Sequence, residues 1–454
     1  MAHPIAIRLI GIATALASFI AFIAILRAVR PIADDDRRSI TALSFGLLGL
    51  GLLPLLMMWS RPEQPIVLAM LLTVLTVLRG IEPARTVRQR WVATAIVFTL
   101  AIVAISLHVK VFYFLPLFFA ALMLVMPPGS RLPLRAGVTL ALLLVWALSL
   151  KYWTARFACP ADPVIAQQFG AENLASAILS GRIPEKGILG TLGDMQPFGY
   201  VHPIIPGPRL MSDWLPPLDL WPPVAVAFKM IVWLSVVSSL VLLTRSLRGR
   251  LNREVPAPVI LAGVLLLGIA ACTVTQLRKN AYEAALVMPL LILIIILVLG
   301  SDRRHIWGLK RLSILIVTVA TCGQIFLIPY LTPRLARSQA AAGVIETQKH
   351  SIPVFSYGAI GERVRAAARQ CRIPLDGSAR YVGIDDMSYL IFADSWRPMY
   401  RFGMNGAWSY DVPDAIGLLR ERRASGMVVQ CRELKPELRA RATVVGDFCC
   451  LGAQ

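Results

Sequence analysis

Within the six residues Arg278-Lys-Asn-Ala-Tyr-Glu283 the chain carries two cations, a phenol and a carboxylate. The whole turn, Gln276 to Glu283, is wedged between two strongly apolar segments. A guanidinium offers a planar fork that grips a phosphate through two parallel hydrogen bonds, and a lysine ammonium adds a point charge. Arg278, Lys279, Tyr282 and Glu283 therefore read as a phosphate-binding rim at the level of lipid headgroups. The plainer reading is that such a basic pair anchors a helix end in the headgroups.

A second set of groups lies in one long Pro- and Gly-rich segment, about 154–221, with the carboxylates Asp162, Glu172, Glu185, Asp194, Asp213 and Asp219 and the imidazole of His202. Group transfer to a hydroxyl needs a base within reach of that hydroxyl. Asp194 and Asp213 are the candidates taken here for that catalytic role, although their spacing marks no carboxylate pair. Asp34-Asp-Asp36 is rich in oxygen, as Mg²⁺ sites are, but it adjoins Arg37 and Arg38 and reads as a charge-balanced loop. Asp385-Asp386 ends a predicted strand and reads first as a turn. The chain has no P-loop, no G-x-S-x-G, no H-E-x-x-H and no paired C-x-x-C. Neither a metal nor an organic cofactor is called for.

The elements that position these groups follow from composition. The chain is 57% hydrophobic and 16% charged over 454 residues, with a mean hydropathy of +0.66. That places it in the membrane class. A net charge of +20 would suit nucleic acid if it formed a soluble patch, but the basic residues sit in short loops between apolar runs. No nucleic-acid partner is expected.

Apolar windows of about 18–22 residues, the length that crosses a bilayer as a helix, fall near 5–26, 40–59, 64–79, 91–108, 110–127, 134–153, 222–244, 255–275, 281–300 and 311–330. The fold class predicted is thus a polytopic α-helical membrane protein of about ten transmembrane helices. The first run has no cleavage site after it and reads as a true span. Loops on one side hold 18 Arg and Lys residues and the short segments of the other hold 5, namely Arg8, Arg61, Lys110, Arg278 and Lys279. Basic loops stay in the cytoplasm. Both termini, the 154–221 loop and a C-terminal tail from 331 to 454 are therefore expected outside, in the manner of a bacterial inner-membrane protein. The organisation predicted is helices 1–6 over 1–153, the loop at 154–221, helices 7–10 over 222–330 and the tail at 331–454.

The tail reads as a small α/β domain. Ile360–Arg369 is patterned as a helix and Arg380–Ile384 as a buried strand. Pro413–Arg423 opens as helices do, and Gly426–Gln430 and Thr443–Gly446 are further strands. Its 17 basic and 12 acidic residues suit an anionic lipid surface. Cys272 and Cys322 fall in spans and read as packing residues; Cys159, Cys371, Cys431, Cys449 and Cys450 fall outside, where disulfides form. Cys371 or Cys431 with one of the terminal pair is the pairing expected.

An apolar bundle, a long outward loop ending in Ser212-Asp-Trp-Leu-Pro-Pro217, a late Lys279-Asn-Ala-Tyr-Glu283 rim and an outward α/β tail together resemble the GT-C class of membrane glycosyltransferases. The resemblance is one of architecture and covers most of the chain. It implies transfer of a sugar from a polyprenyl-phosphate carrier to a glycan or lipid acceptor on the outer face. That class starts inside and carries a catalytic acid in its first outward loop. Here the counted topology starts outside, and the corresponding loop, Ser60–Pro65, is short with Glu63 as its one acid, so the catalytic acid is not carried over to any residue. A non-catalytic flippase or assembly partner handling the same carrier is the alternative, ahead of a solute transporter.

Overall fold

The computed structural model describes residues 4–29, 34–50, 53–58, 63–82, 84–127, 129–130, 132–157, 256–275, 284–301, 308–340, 344–346, 351–353, 358–376, 382–384, 388, 391, 400–401, 419–420, 423–431, 434 and 436–452. They fall into two compact units, one comprising Met1–Phe157 and Glu172–Pro329 and the other Ala158–Ala171 and Tyr330–Gln454.

The first unit is a helical bundle. Its described helices are α1 (Pro4–Ala28), α2 (Asp34–Leu48), α3 (Leu53–Met57), α4 (Glu63–Gly80), α5 (Val87–Leu107), α6 (Leu115–Val125), α7 (Leu132–Phe157), α8 (Ala257–Thr275), α9 (Ala284–Ser301) and the start of α10 (Leu309–Ala340). Four of them contain segments long and apolar enough to cross a membrane, Leu9–Ala28, Glu63–Gly80, Val87–Leu107 and Leu132–Ser149. Lys110–Val125, Ala257–Cys272 and Ala285–Ser301 are apolar but shorter.

Two helices form the centre. α4 packs against α1, α5, α6 and α9, and α9 packs against α2, α4 and α8. From Ala285 to Leu290 and again from Ile292 to Leu299, α9 is buried at every position. A helix with apolar residues on all sides belongs inside a bundle. α7 is the opposite case, with Leu132, Leu134, Leu140, Leu144, Leu148 and Tyr152 all exposed. Hydroxyls within these helices are satisfied locally: Ser44 donates to the Ile40 carbonyl at 2.7 Å and Thr73 to that of Ala69 at 2.8 Å. That is how a polar side chain sits on an apolar helix without an orphaned donor.

Three expectations are revised. The run 40–59 is not one helix: α2 stops at Leu48, and a turn at Gly49-Leu50 separates it from α3. Gln324 of α10 fastens the break, its side-chain amide donating to the Gly49 carbonyl at 2.8 Å. Asp34-Asp-Asp36 is the first turn of α2 rather than a loop, where carboxylates are favoured by the helix dipole. Cys322 is exposed on α10, whereas Cys272 is buried as expected. The run 222–244 lies outside the described residues.

The second unit holds a two-stranded hairpin, β1 (Val344–Glu346) with β2 (Ser351–Pro353), and a five-stranded sheet. The sheet strands are β3 (Val382–Ile384), β4 (Tyr400–Arg401), β5 (Gly426–Gln430), β6 (Thr443–Val445) and β7 (Phe448–Gly452), in the order β4-β3-β5-β7-β6. β4, β3 and β5 are parallel; β7 runs antiparallel to both β5 and β6. Helix α11 (Gly358–Gln370) lays Val364, Ala367 and Ala368 against Val382, Ile384, Val428, Phe448 and Cys450. The other face buries Met427, Val429, Cys449 and Leu451 with Leu419 and Leu434, beside the short helix α12 (Pro436–Arg441).

Cys449 and Cys450 are neighbours on β7, so their side chains leave opposite faces of the sheet. Cys450 bonds Cys371 just past α11, and Cys449 bonds Cys431 just past β5, with Cα–Cα separations of 6.0 and 4.8 Å. Each member of the terminal pair thus staples one face. The expected pairing holds, with both Cys371 and Cys431 bonded to a member of the terminal pair. β7 itself was not among the predicted strands; five consecutive residues, Phe448-Cys-Cys-Leu-Gly452, are its signature.

Candidate functional site

The position where the bundle retains charge is set by two chain breaks. α5 ends at His108, whose extended backbone (φ −166°) turns the chain directly into a 3₁₀ turn, Val109–Phe114. The His108 imidazole caps that turn, Nδ1 accepting from the Lys110 backbone N–H at 3.1 Å. One residue therefore does the work of a loop between the two apolar runs. On the other side, α4 begins at Glu63, and Gln64 ties it to α3 by donating to the Leu56 carbonyl at 2.6 Å.

These breaks bring Lys110 and Glu63 together across 47 residues of chain, with Lys110 Nζ donating to Glu63 Oε1 at 2.9 Å. The side chains are 11% and 2% exposed. Among the described ion pairs this is the one that is buried; Arg85–Glu82, Arg363–Asp447 and Arg365–Glu362 lie at the surface. Glu63 stands in the first turn of α4, where the helix dipole adds to the pull of the ammonium.

The 3₁₀ turn is itself clamped. Gly268 of α8 lies against it so closely that a Cβ there would meet Phe114 Cδ1 at 2.6 Å and the Tyr113 carbonyl at 2.9 Å. Phe112 takes the edge of Trp146 of α7, ring centroids 6.2 Å apart. The indole N–H of Trp146 is buried with no hydrogen-bond partner among the described residues.

Charged groups held within a membrane bundle are costly and tend to mark binding or transport sites. A carboxylate–ammonium pair of this kind can do two things. It can bind an anion by exchanging the carboxylate for it, and it can release that carboxylate as a base.

No family model, no characterised protein and no solved structure matches the chain.

The residues singled out in the sequence fare unevenly. Arg278, Lys279, Tyr282 and Glu283 lie outside the described residues, in the eight-residue link from Thr275 of α8 to Ala284 of α9. Asp194 and Asp213 also lie outside them, with the other carboxylates of that loop, His202 and Asp385-Asp386. Among the described residues no group of three or more His, Cys, Asp or Glu could hold a metal ion. Glu63 and Lys110 were visible only as an isolated acid and an isolated cation at the ends of apolar runs. Their shared side in the loop alternation was the available signal, and it does not by itself name a partner.

Thr275 is seven residues beyond Gly268, about 10 Å along the helix at 1.5 Å per residue, and Gly268 touches the 3₁₀ turn that carries Lys110.

Proposed function

We propose that this chain is a membrane protein of about ten spans in cell-envelope glycan or glycolipid assembly, which binds a polyprenyl-phosphate-linked sugar and transfers the sugar as GT-C glycosyltransferases do. The observation that carries the reading is the buried Glu63–Lys110 pair in the turn that packs on α8, the helix leading into the basic rim. In this reading the carrier phosphate takes the place of the Glu63 carboxylate on Lys110, while Arg278 and Lys279 hold its outer oxygens with Tyr282 and Glu283 beside them. Asp194 or Asp213 serves as the base that takes the acceptor proton. The prenyl tail stays among the lipids.

The orientation proposed is a bacterial inner membrane with both termini outside. It is supported by the 18-to-5 division of basic residues and by the two disulfides of the C-terminal unit, which suit an oxidising compartment. A non-catalytic carrier-handling role, as a flippase or assembly partner, is favoured by one observation: Glu63, the one acid of the first short outward loop, is buried and tied to Lys110 rather than facing an acceptor.

The test is retention of a long-chain polyprenyl phosphate by the detergent-solubilised full chain, read by native mass spectrometry. Arg278→Glu/Lys279→Glu and Lys110→Met should each lower the retained fraction at least about tenfold, the factor that corresponds to about 1.4 kcal/mol. Retention equal to the unaltered chain in both variants overturns the reading. An Asp/Glu→Ala scan of 154–221 then separates the two roles, since only transfer requires one essential outer carboxylate.

A further inference from the structure

His108 holds two consecutive donors of the 3₁₀ turn. Its carbonyl accepts the Val111 N–H at 3.2 Å, and its Nδ1 accepts the Lys110 N–H at 3.1 Å. The first bond belongs to the turn itself, and any residue at 108 would supply it. The second comes from the side chain and satisfies a donor that the turn leaves without a partner of its own. A ring nitrogen that accepts carries no proton, so the imidazole is neutral with its hydrogen on Nε2. The residue whose backbone is fixed in this way is the one that sends its ammonium to Glu63 Oε1 at 2.9 Å. Two bonds therefore run in series, from the His108 ring to the Lys110 backbone and from the Lys110 side chain to the carboxylate of α4.

An imidazolium has a proton on both nitrogens and accepts nothing. A second proton on His108 turns Nδ1 from an acceptor into a donor that faces the Lys110 N–H, and the cap opens. Imidazole is also the side chain whose ordinary range lies between about pH 5 and 8. Beside His108 on the turn stand Lys110 and Tyr113. Of the helices packed on the turn, α8 brings Cys272, α7 brings the exposed Lys151 and Tyr152, and α6 brings no titratable side chain. Arg88 and Arg90 of α5 and Arg135 of α7 lie at the far ends of those helices. Glu63, from α4, is held by Lys110 itself.

We infer that His108 is the positioning residue of the Lys110 site: its neutral ring sets the ammonium that the carrier phosphate is proposed to meet, and a second proton on the ring unseats it. The inference rests on the carrier reading above for what Lys110 binds, whereas the placement of Lys110 is tested with no carrier present.

The experiment compares the full chain in a non-ionic detergent with His108→Asn, His108→Gln and His108→Ala. Asparagine puts its amide oxygen where Nδ1 lies and is a favoured cap, while glutamine, one carbon longer, puts its oxygen where Nε2 lies. Without carrier, acetylation of Lys110 by acetic anhydride is read by peptide mass spectrometry against that of the exposed Lys151. It should rise about fivefold in His108→Gln and His108→Ala, the factor equivalent to about 1 kcal/mol, and stay within about twofold in His108→Asn. Glutamine keeps a long side chain at 108, so the comparison survives if His108→Ala does not fold. With a long-chain polyprenyl phosphate, lowering the pH from about 8 to about 5 should reduce retention by the unaltered chain about fivefold more than retention by His108→Asn. The phosphate takes up its own proton near about pH 6 in both cases alike. Equal acetylation in all four chains, acetylation raised as much by asparagine as by alanine, or equal pH profiles for the unaltered chain and His108→Asn overturns the inference. Retention that rises at low pH in the unaltered chain alone makes the imidazolium a direct phosphate ligand and overturns it as well. If the acetylation order holds while no chain retains carrier, the positioning of Lys110 stands and the carrier reading fails.

Discussion

Removing the ammonium of Lys110 while keeping its length, in Lys110→Met, leaves the Glu63 carboxylate buried and without its ammonium partner. At 2.9 Å and an effective dielectric constant of about 20, the Coulomb attraction lost is about 6 kcal/mol. Both charges have already given up hydration to be there, so the net cost of losing one partner is smaller, about 3–5 kcal/mol. Glu63→Gln should cost more than Lys110→Met by about 0.3–1 kcal/mol, because it takes the carboxylate away from the positive end of α4, where a carboxylate is favoured, and leaves the Lys110 ammonium there. The double variant Glu63→Gln/Lys110→Met removes both charges and should recover much of the loss, giving a coupling of about 2–3 kcal/mol. Equilibrium unfolding in mixed micelles measures this, followed through the maleimide reactivity of Cys272, a buried thiol on α8, in a background in which Cys159 and the exposed Cys322 are replaced by serine. Single variants that each cost under about 1 kcal/mol and simply add, as exposed pairs do, would refute the buried-pair account.

Other outcomes follow from the same structure. Gly268→Val should push the 3₁₀ turn off α8, destabilising the bundle by about 1–3 kcal/mol as overpacking does and lowering carrier retention with it; an unchanged melting temperature would contradict the close contact. In the tail, the chain-entropy relation gives about 4.5 kcal/mol for the Cys371–Cys450 bond and about 3 kcal/mol for Cys431–Cys449, from separations of 79 and 18 residues. Cys371→Ser should therefore lower tail stability more than Cys431→Ser, as read by limited proteolysis of the non-reduced chain. Thr86→Ala should loosen the start of α5 by about 1 kcal/mol, since the Thr86 hydroxyl and Gln89 side chain cap each other's backbone N–H groups. Hydrogen exchange at 87–90 would report it.

The length of continuous apolar runs marked the bundle, because a helix that crosses or lines a lipid-like interior needs a run whose length is set by rise per residue. α4, α5, α7, α8 and α9 all fall within a few residues of their predicted runs. The α/β character of the tail and the cysteines that close it were legible for a similar reason, since strand patterning and the positions of the cysteines are local properties of the chain. What composition could not reveal is where a long apolar run stops being one helix. The turn at Gly49-Leu50 is held by a partner brought from elsewhere, Gln324, whereas the break at His108 falls where the predicted runs 91–108 and 110–127 meet. Nor could spacing pair Glu63 with Lys110, because an ion pair across 47 residues exists only when two helix ends are packed side by side. The chain's chemistry-bearing residue types and its helices long and apolar enough to cross a membrane were thus written in its amino acids, while which of those residues share a site was decided by tertiary packing, since that alone sets distances between residues far apart in sequence.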